Sequence, residues 1–313
     1  MKGLELSETF YREFGEPMLR DSFPELMGLL AVGVAGSGSE CFGYDDALSH
    51  DHDFDIGFCI FIPDEDLIDS RTEFALERAY SRLPRSFRGF ERSLLAPVGG
   101  RRRGVIRMSE FFKSKTGTPD GDISLTDCLM LPEQSLAEAV NGRVFFDGLG
   151  KFTEIRKRLA YMPEDARLKK LAGELLIMGQ SGQYNYGRCI SRGETAAAQL
   201  AICDFARSSL HAVFLLNRRY MPYYKWSFRA LRELPVLSSL HEPLEYLISS
   251  ANGADEAERK KAIVERICAD IIAELRAQGL TDYEGGETEG HAYSVNEKIS
   301  AVSVRNLHVL SAV

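Results

Sequence analysis

The stretch LLAVGVAGSGSECFGYDDALSHDHDFD spans residues 29–55 and holds most of the chemistry the chain displays. Leu29 to Val34 is a short apolar run with glycines at its end, which predicts a buried strand. The loop Ala35-Gly36-Ser37-Gly38-Ser39-Glu40-Cys41-Phe42-Gly43 follows. Its glycines let backbone N–H groups come close to phosphate oxygens, and Ser39 adds a hydroxyl donor. Then comes the acidic run His50-Asp51-His52-Asp53-Phe54-Asp55, and Ile56 to Ile62 reads as a second strand stopped by Pro63. Side chains alternate along a strand, so Asp51, Asp53 and Asp55 share a face. Three carboxylates with no basic residue among them repel one another unless water or cations neutralise them. Such oxygen-rich sites suit Mg²⁺, with Mn²⁺ as the alternative ion. Two ions about 4 Å apart can clamp the attacking and leaving oxygens in phosphoryl chemistry. The same run also reads as a solvated acidic turn at the start of a strand.

Other motif readings fail on particular residues. His50-x-His52 suggests a zinc hydrolase, but that chemistry needs further histidines, and His211, His241, His291 and His308 all fall far along the chain. An EF-hand loop opening at Asp51 needs Gly and Glu where Ile56 and Ile62 stand. The P-loop lysine is missing after Gly38-Ser39-Glu40, and Cys41 replaces the third glycine of a dinucleotide fingerprint.

The rest of the chain sets the class. Its 313 residues and 44% hydrophobic content suffice for a core, and the length favours two domains. A net charge of −8 speaks against general phosphate-backbone binding, so no general DNA binding is expected. The six cysteines form no C-x-x-C pair, which fits a reducing compartment. Met1 to Phe10 lacks the features of a secretory signal, and no apolar run approaches the roughly 20 residues that span a bilayer. A cytoplasmic protein with no membrane association is expected.

Helical periodicity covers residues 5–20 and 70–82, and Val105 to Met108 and Val144 to Phe146 read as further strands. Asn141-Gly142 is a turn signal before the last of these. Beyond residue 150 the pattern becomes helical, over 151–161, 165–180, 194–217, 243–250 and 256–278. Val264, Ile267, Ile271 and Leu275 make the apolar stripe of the last. Residues 284–290 read as an acidic, glycine-rich linker, and Ser294 and Glu297 have capping-box spacing for a final helix. The expected layout is an α/β domain with a mixed sheet over 1–150 and an all-α helical bundle over 151–313.

Eight arginines lie between Arg82 and Arg107, including Arg101-Arg102-Arg103. They read either as a solvated loop or as a patch that steers triphosphate or RNA toward the acids. The segments 183–188 and 223–226 are dense in polar and aromatic groups, which more often pack than bind.

A strand, a Gly-Ser turn and an acidic pair on the next strand resemble the DNA polymerase β-like nucleotidyltransferase superfamily. Eleven residues separate Ser39 from Asp51, close to that pattern's spacing. More narrowly, the chain resembles a bacterial domain-of-unknown-function family within it, through Gly43-Tyr44-Asp45-Asp46, Ser49-His50-Asp51-His52-Asp53, Asn217-Arg218-Arg219-Tyr220 and Tyr224-Lys225-Trp226. Antibiotic nucleotidyltransferases have a similar two-domain layout. The resemblance implies a Mg²⁺-dependent nucleotidyltransferase using a nucleoside triphosphate, ATP being the expected donor. Its acceptor is a small molecule, a tRNA or a protein. Asp51 and Asp53 are the expected metal ligands and catalytic acids, with Asp55 as third ligand; Asp53-Phe54-Asp55 fits the superfamily alternation equally. Glu110 is the candidate further carboxylate. Gly38 and Ser39 are the expected triphosphate loop, and Lys225 and Arg188 candidate phosphate ligands, with Arg192 behind them. The competing expectations are a nucleotide-binding regulatory protein that lacks a full catalytic set, a toxin–antitoxin component, and a zinc metallohydrolase.

Overall fold

A computed structural model describes residues 2–46, 55–92 and 103–313. The chain folds into two compact units, Met1–Ile123 with Ser135–Ala160, and Ser124–Gln134 with Tyr161–Val313.

The first unit is built on a mixed four-stranded sheet. Helices α1 (Gly3–Phe10) and α2 (Glu16–Ser22) are joined by a π-helical turn over Tyr11–Gly15. Strands β1 (Ala31–Val34) and β2 (Cys59–Ile62) follow, then α3 (Ser70–Ser81), whose N-cap Asp69 accepts from the Thr72 amide at 2.8 Å. A short hairpin of β3 (Ser86–Phe87) and β4 (Phe90–Glu91) leads to β5 (Gly104–Arg107) and α4 (Met108–Thr116). Helices α5 (Leu125–Met130) and α6 (Glu133–Val140) precede β6 (Arg143–Asp147) and α7 (Lys151–Leu159). The sheet order is β5-β2-β1-β6, with β1 antiparallel to both β2 and β6 and β5 parallel to β2.

Both faces of the sheet are covered, which explains why its central strands read as continuous apolar runs. Val32, Val34, Ile60 and Ile62 face one core, with Phe10, Tyr11 and Phe58. The alternate residues Ala31, Cys59 and Phe61 face another, with Phe111, Phe112 and Phe152. In that second core the Phe61 and Phe152 rings stack with centroids 4.0 Å apart.

This packing moves the expected boundary at residue 150. Helix α7 looks like the start of the helical part, yet Phe152, Ile155 and Leu159 close the second core of the sheet. Residues 124–134 instead cluster with the helices of the second unit. Periodicity reports that a helix is amphipathic, not which core its apolar face enters.

The second unit is helical: α8 (Glu164–Met178), α9 (Gly187–Ser191), α10 (Thr195–Leu216), α11 (Tyr224–Leu231), α12 (His241–Ser249), α13 (Ala254–Ala277), α14 (Thr288–Glu297) and α15 (Val302–Arg305). A π-helical turn over Gly179–Tyr186 joins α8 to α9. Helix α8 is the axis of the unit and is buried almost all round, including Arg167, Lys169, Lys170 and Glu174. Buried charge is tolerated only where it is hydrogen-bonded. Lys169 accordingly donates to Asn296 Oδ1 at 2.8 Å and to the Leu307 carbonyl at 2.6 Å. Lys260, also fully buried, donates to Ser250 O at 2.8 Å and to Gln199 and Asn252 at 3.1 Å.

The C-terminal part corrects two expectations. Residues 288–290 are the first turn of α14 rather than linker, and Gln183 Oε1 receives the Thr288 amide at 2.9 Å. Ser294 therefore lies inside that helix and caps nothing; its hydroxyl accepts from the Asp282 amide at 2.8 Å. A distant glutamine supplies the helix-start acceptor, and no local spacing could reveal it. Among the described residues no helix is long and apolar enough to cross a membrane.

Candidate active site

The site follows from the register of β1 and β2. Gly33 pairs with Cys59, so the end of β1 lies beside the start of β2. Cys59 pairs in turn with Gly104, and Val34 with Arg143, which brings the starts of β5 and β6 to the same sheet end. The Gly-Ser loop leaves β1 here, and Asp55 and Arg103 lie just ahead of β2 and β5.

The loop is held from three sides. Asn141 clamps Gly36 in both directions, accepting its amide at 2.9 Å and donating to its carbonyl at 2.8 Å. The Gly142 amide donates to the Cys41 carbonyl at 2.8 Å. Beneath the loop, Glu40 and Arg103 form an ion pair in which both side chains are less than 5% exposed. The chain turns at Gly38, at φ +136°, directly over the Glu40 carboxylate. A Cβ there would meet both carboxylate oxygens at 2.6 Å. Gly38→Ala should therefore cost about 1–3 kcal/mol from backbone strain, before any displacement of Glu40. Thermal unfolding of that variant checks the figure, and an unchanged midpoint would contradict the steric reading.

The loop's donors divide into two sets. Ser37 Oγ donates to Glu138 Oε2 at 2.8 Å, and Lys115 pairs with the same carboxylate. Ser37 is thus occupied. Ser39 is half-exposed, and among the described residues neither its hydroxyl nor the Gly38 and Ser39 amides make a hydrogen bond within the protein. These are the groups expected to face phosphate.

Asp51 and Asp53 lie outside the described residues. Asp55 is described: its Oδ1 accepts the Gly57 amide at 2.7 Å, and its charge acts on Arg103 and Tyr80. Tyr80 is pushed up by burial, with Asp55 adding to the shift, so it stays neutral; its hydroxyl accepts the Phe58 amide at 3.1 Å. Burial likewise pushes the Cys41 thiol up to about 12, which leaves it inert beside the loop. Asp45, in the Gly43-Tyr44-Asp45-Asp46 segment, is buried and accepts the Gly3 amide at 2.8 Å at the start of α1. Among the described residues no three His, Cys, Asp or Glu side chains are grouped to hold a metal ion.

Glu110 is not brought to this site. It follows the far end of β5, where Arg107 pairs with Ile62, and it is exposed on the first turn of α4. Helix α4 then returns, so that Lys115 in its last turn reaches Ser37 at 3.4 Å. At the site end, the residue just ahead of β5 is Arg103, a cation.

Three of the six described arginines of the run are buried in structural contacts, and Arg82, Arg85 and Arg88 are exposed. Arg92 is buried and donates to the carbonyls of Tyr80 at 2.9 Å, Ser81 at 3.2 Å and Leu83 at 3.3 Å, closing the end of α3. Arg107 donates to Pro63 O at 2.9 Å and Ile68 O at 3.1 Å and pairs with Glu73 at 2.5 Å. With Arg103 bound to Glu40, these three are unavailable as a steering patch; Arg101 and Arg102 lie outside the described residues. Sequence reasoning missed Asn141 as a clamp and Glu40 as a counter-ion. Asn141 had a visible signal, since its Asn-Gly turn was legible, but its partner Gly36 is 105 residues away.

The remaining site candidates belong to the second unit. Arg188 donates to Tyr184 Oη at 2.7 Å, with its guanidinium 4.7 Å from the ring centroid. Arg192 is exposed at the end of α9. Lys225 is exposed on the first turn of α11, 5.1 Å from the Trp226 ring.

Residues 128–227 match a domain of unknown function, DUF4037. The DUF4037 match contains both C-terminal segments on which the resemblance rests, Asn217-Arg218-Arg219-Tyr220 and Tyr224-Lys225-Trp226. The Gly-Ser loop and the acidic run lie before it. A solved structure similar to this chain is that of a nucleotidyltransferase-like protein from Exiguobacterium sibiricum 255-15. It has a TM-score of 0.37 and 12% identity, and the likeness covers 90% of this chain and 80% of that one. No curated protein matches the chain.

Beyond the loop, the DUF4037 region holds a cluster of titratable groups that the sequence did not reveal. His211 Nδ1 on α10 lies 3.2 Å from Glu133 Oε1 on α6 and 3.9 Å from Glu174 Oε1 on α8. The second Glu133 oxygen accepts the Met221 amide at 3.1 Å. Three helices thus meet at one polar point.

Proposed function

We propose that the chain is a Mg²⁺-dependent nucleotidyltransferase that moves a nucleoside monophosphate from a nucleoside triphosphate, with ATP the expected donor, to an acceptor hydroxyl. The observation that supports this reading is the antiparallel register Gly33–Cys59, which puts the Gly-Ser loop and the segment leading into β2 at one end of the sheet. In this reading the Gly38 and Ser39 amides and the Ser39 hydroxyl hold the triphosphate. Asp51 and Asp53 hold the metal, and Asp55 orients the start of β2 through Gly57 instead of serving as a full ligand. The metal supplies charge neutralisation at the phosphates. Arg188 is assigned no role in this reading; it belongs to the second unit, where its guanidinium donates to Tyr184.

The test is transfer of label from α-labelled ATP in the presence of Mg²⁺ and cell extract, beside Asp51→Ala and Asp53→Ala. Both variants should lose labelled product and pyrophosphate release. Label that persists undiminished in both would remove these acids from the mechanism.

A second reading, a nucleotide-binding regulatory protein, draws support from Arg103 at the site end of β5 and from Glu110 at the opposite end. It predicts tight Mg-ATP binding with no pyrophosphate release in the same preparation.

A further inference from the structure

The loop between α10 and α11 is irregular in backbone yet anchored at several points. Asn217 donates to Val213 O at 2.8 Å and Val236 O at 3.0 Å and accepts the Val236 amide at 3.1 Å. Arg218 sits at φ +52°, a conformation costly for a side chain with a Cβ. Its guanidinium grips Glu164 at 2.6 and 3.2 Å, and the buried Arg167 holds the same carboxylate from below at 2.7 and 3.0 Å. Those two cations lower the Glu164 pKa to about 2, so the anchor stays charged. The Met221 amide is tied to Glu133.

This anchored loop presents a group of exposed cationic and aromatic side chains. Arg219 is exposed and makes no ion pair among the described residues. Tyr223 and Tyr224 are 44% and 72% exposed, with ring centroids 4.3 Å apart and ring planes tilted by 46°. Exposed Lys225 follows. Exposed aromatic rings with exposed cations close to them in the chain are the elements that hold single-stranded nucleic acid: bases stack, and phosphates meet the charges. The net charge of −8 offers no broad field for a duplex.

We propose that the 217–226 segment binds a short single-stranded nucleic acid, with a base stacked on Tyr224 and adjacent phosphates at Arg219 and Lys225. This assigns Lys225 to a strand phosphate, not to a donor triphosphate. It is independent of the Gly-Ser loop and needs neither metal nor triphosphate.

The test is fluorescence anisotropy of the full chain with labelled oligonucleotides, without Mg²⁺ or ATP. Arms of single-stranded RNA, single-stranded DNA and duplex of one sequence are compared. Single strands should bind and the duplex should not; the tighter of the RNA and DNA arms identifies the strand. Tyr224→Ala should weaken binding about ten-fold or more, whereas Tyr224→Phe, which keeps the ring, should retain it. With two phosphates engaged, the slope of log K against log salt should be about −1.4. Arg219→Ala and Lys225→Ala should each reduce that slope by about 0.7. Absence of binding below the non-specific range of about 10⁻⁴ M would overturn the proposal. So would binding unchanged in Tyr224→Ala, or equal affinity for the duplex. Loss of label transfer in the Asp51 and Asp53 variants has no bearing on these outcomes, so the two readings fail separately.

Discussion

Replacing Arg103 with methionine should destabilise the protein by about 3–5 kcal/mol, because it strands a carboxylate in the interior. Glu40 is only 3% exposed and lies under the Gly38 turn. Once the guanidinium is gone, that carboxylate must protonate or drag the loop toward water. The double variant Arg103→Met with Glu40→Leu removes both charges and should recover most of the loss, since buried pairs are often replaceable by apolar groups at little net cost. Urea unfolding measures both, read as a shift in midpoint at constant slope. A single variant no less stable than the double would show that the pair does not hold the loop. The prediction has a functional side as well. On the proposed nucleotidyltransferase reading, the Gly38 turn over this ion pair positions the Gly38 and Ser39 amides, so the single variant should also weaken nucleotide binding in the folded fraction.

The second large effect concerns His211. Burial works against the imidazolium, but the Glu133 hydrogen bond and the charges of Glu133 and Glu174 outweigh it, and the His211 pKa is raised. Burial also raises the Glu174 pKa, with His211 opposing the shift. Lys170 and Arg207 from the neighbouring turns add positive charge near the two groups, and Cys128 and Tyr220, both pushed up by burial, remain neutral. Because the folded pKa of His211 exceeds its unfolded value of about 6.5, its stabilising contribution is complete below that pH. It is lost as pH rises through the raised folded value. Glu174 acts in the same direction from about 4.3 upward, because the fold favours its neutral form. Stability of the second unit should therefore decline from weakly acidic to alkaline pH. His211→Ala should cost about 3 kcal/mol at neutral pH by leaving two carboxylates facing each other. That cost should shrink as pH rises through the raised His211 value and, on the acid side, once Glu174 takes up a proton. A pH series of unfolding midpoints for the wild type, His211→Ala and Glu174→Gln checks it; parallel curves for all three would refute the coupling.

Much of this protein could be read along the chain. The apolar runs ending at Val34 and Ile62 marked the two central strands, because a strand buried on both faces must be apolar at every position. The stripe Val264, Ile267, Ile271 and Leu275 marked α13, and all four are buried. The glycine-rich loop was legible because only glycine turns through φ +136° over a neighbouring carboxylate. Properties of this kind depend on a residue and its near neighbours, and they leave a trace in local spacing.

Tertiary structure alone decided which charges are spent and which are offered. Arg92, Arg103 and Arg107 belonged to one basic run, and folding commits them to α3 carbonyls, Glu40 and Glu73. Glu110 was the candidate further carboxylate, and the parallel pairing of β5 with β2 carries it to the other end of the sheet. Arg219 and Lys225, by contrast, stay at the surface. A buried charge finds its partner across tens of residues, because desolvation penalises an unpaired ion wherever its partner lies in sequence. The chain order therefore announced the Gly-Ser loop, and the fold determined that Glu40, Arg103 and Asn141 hold it in place.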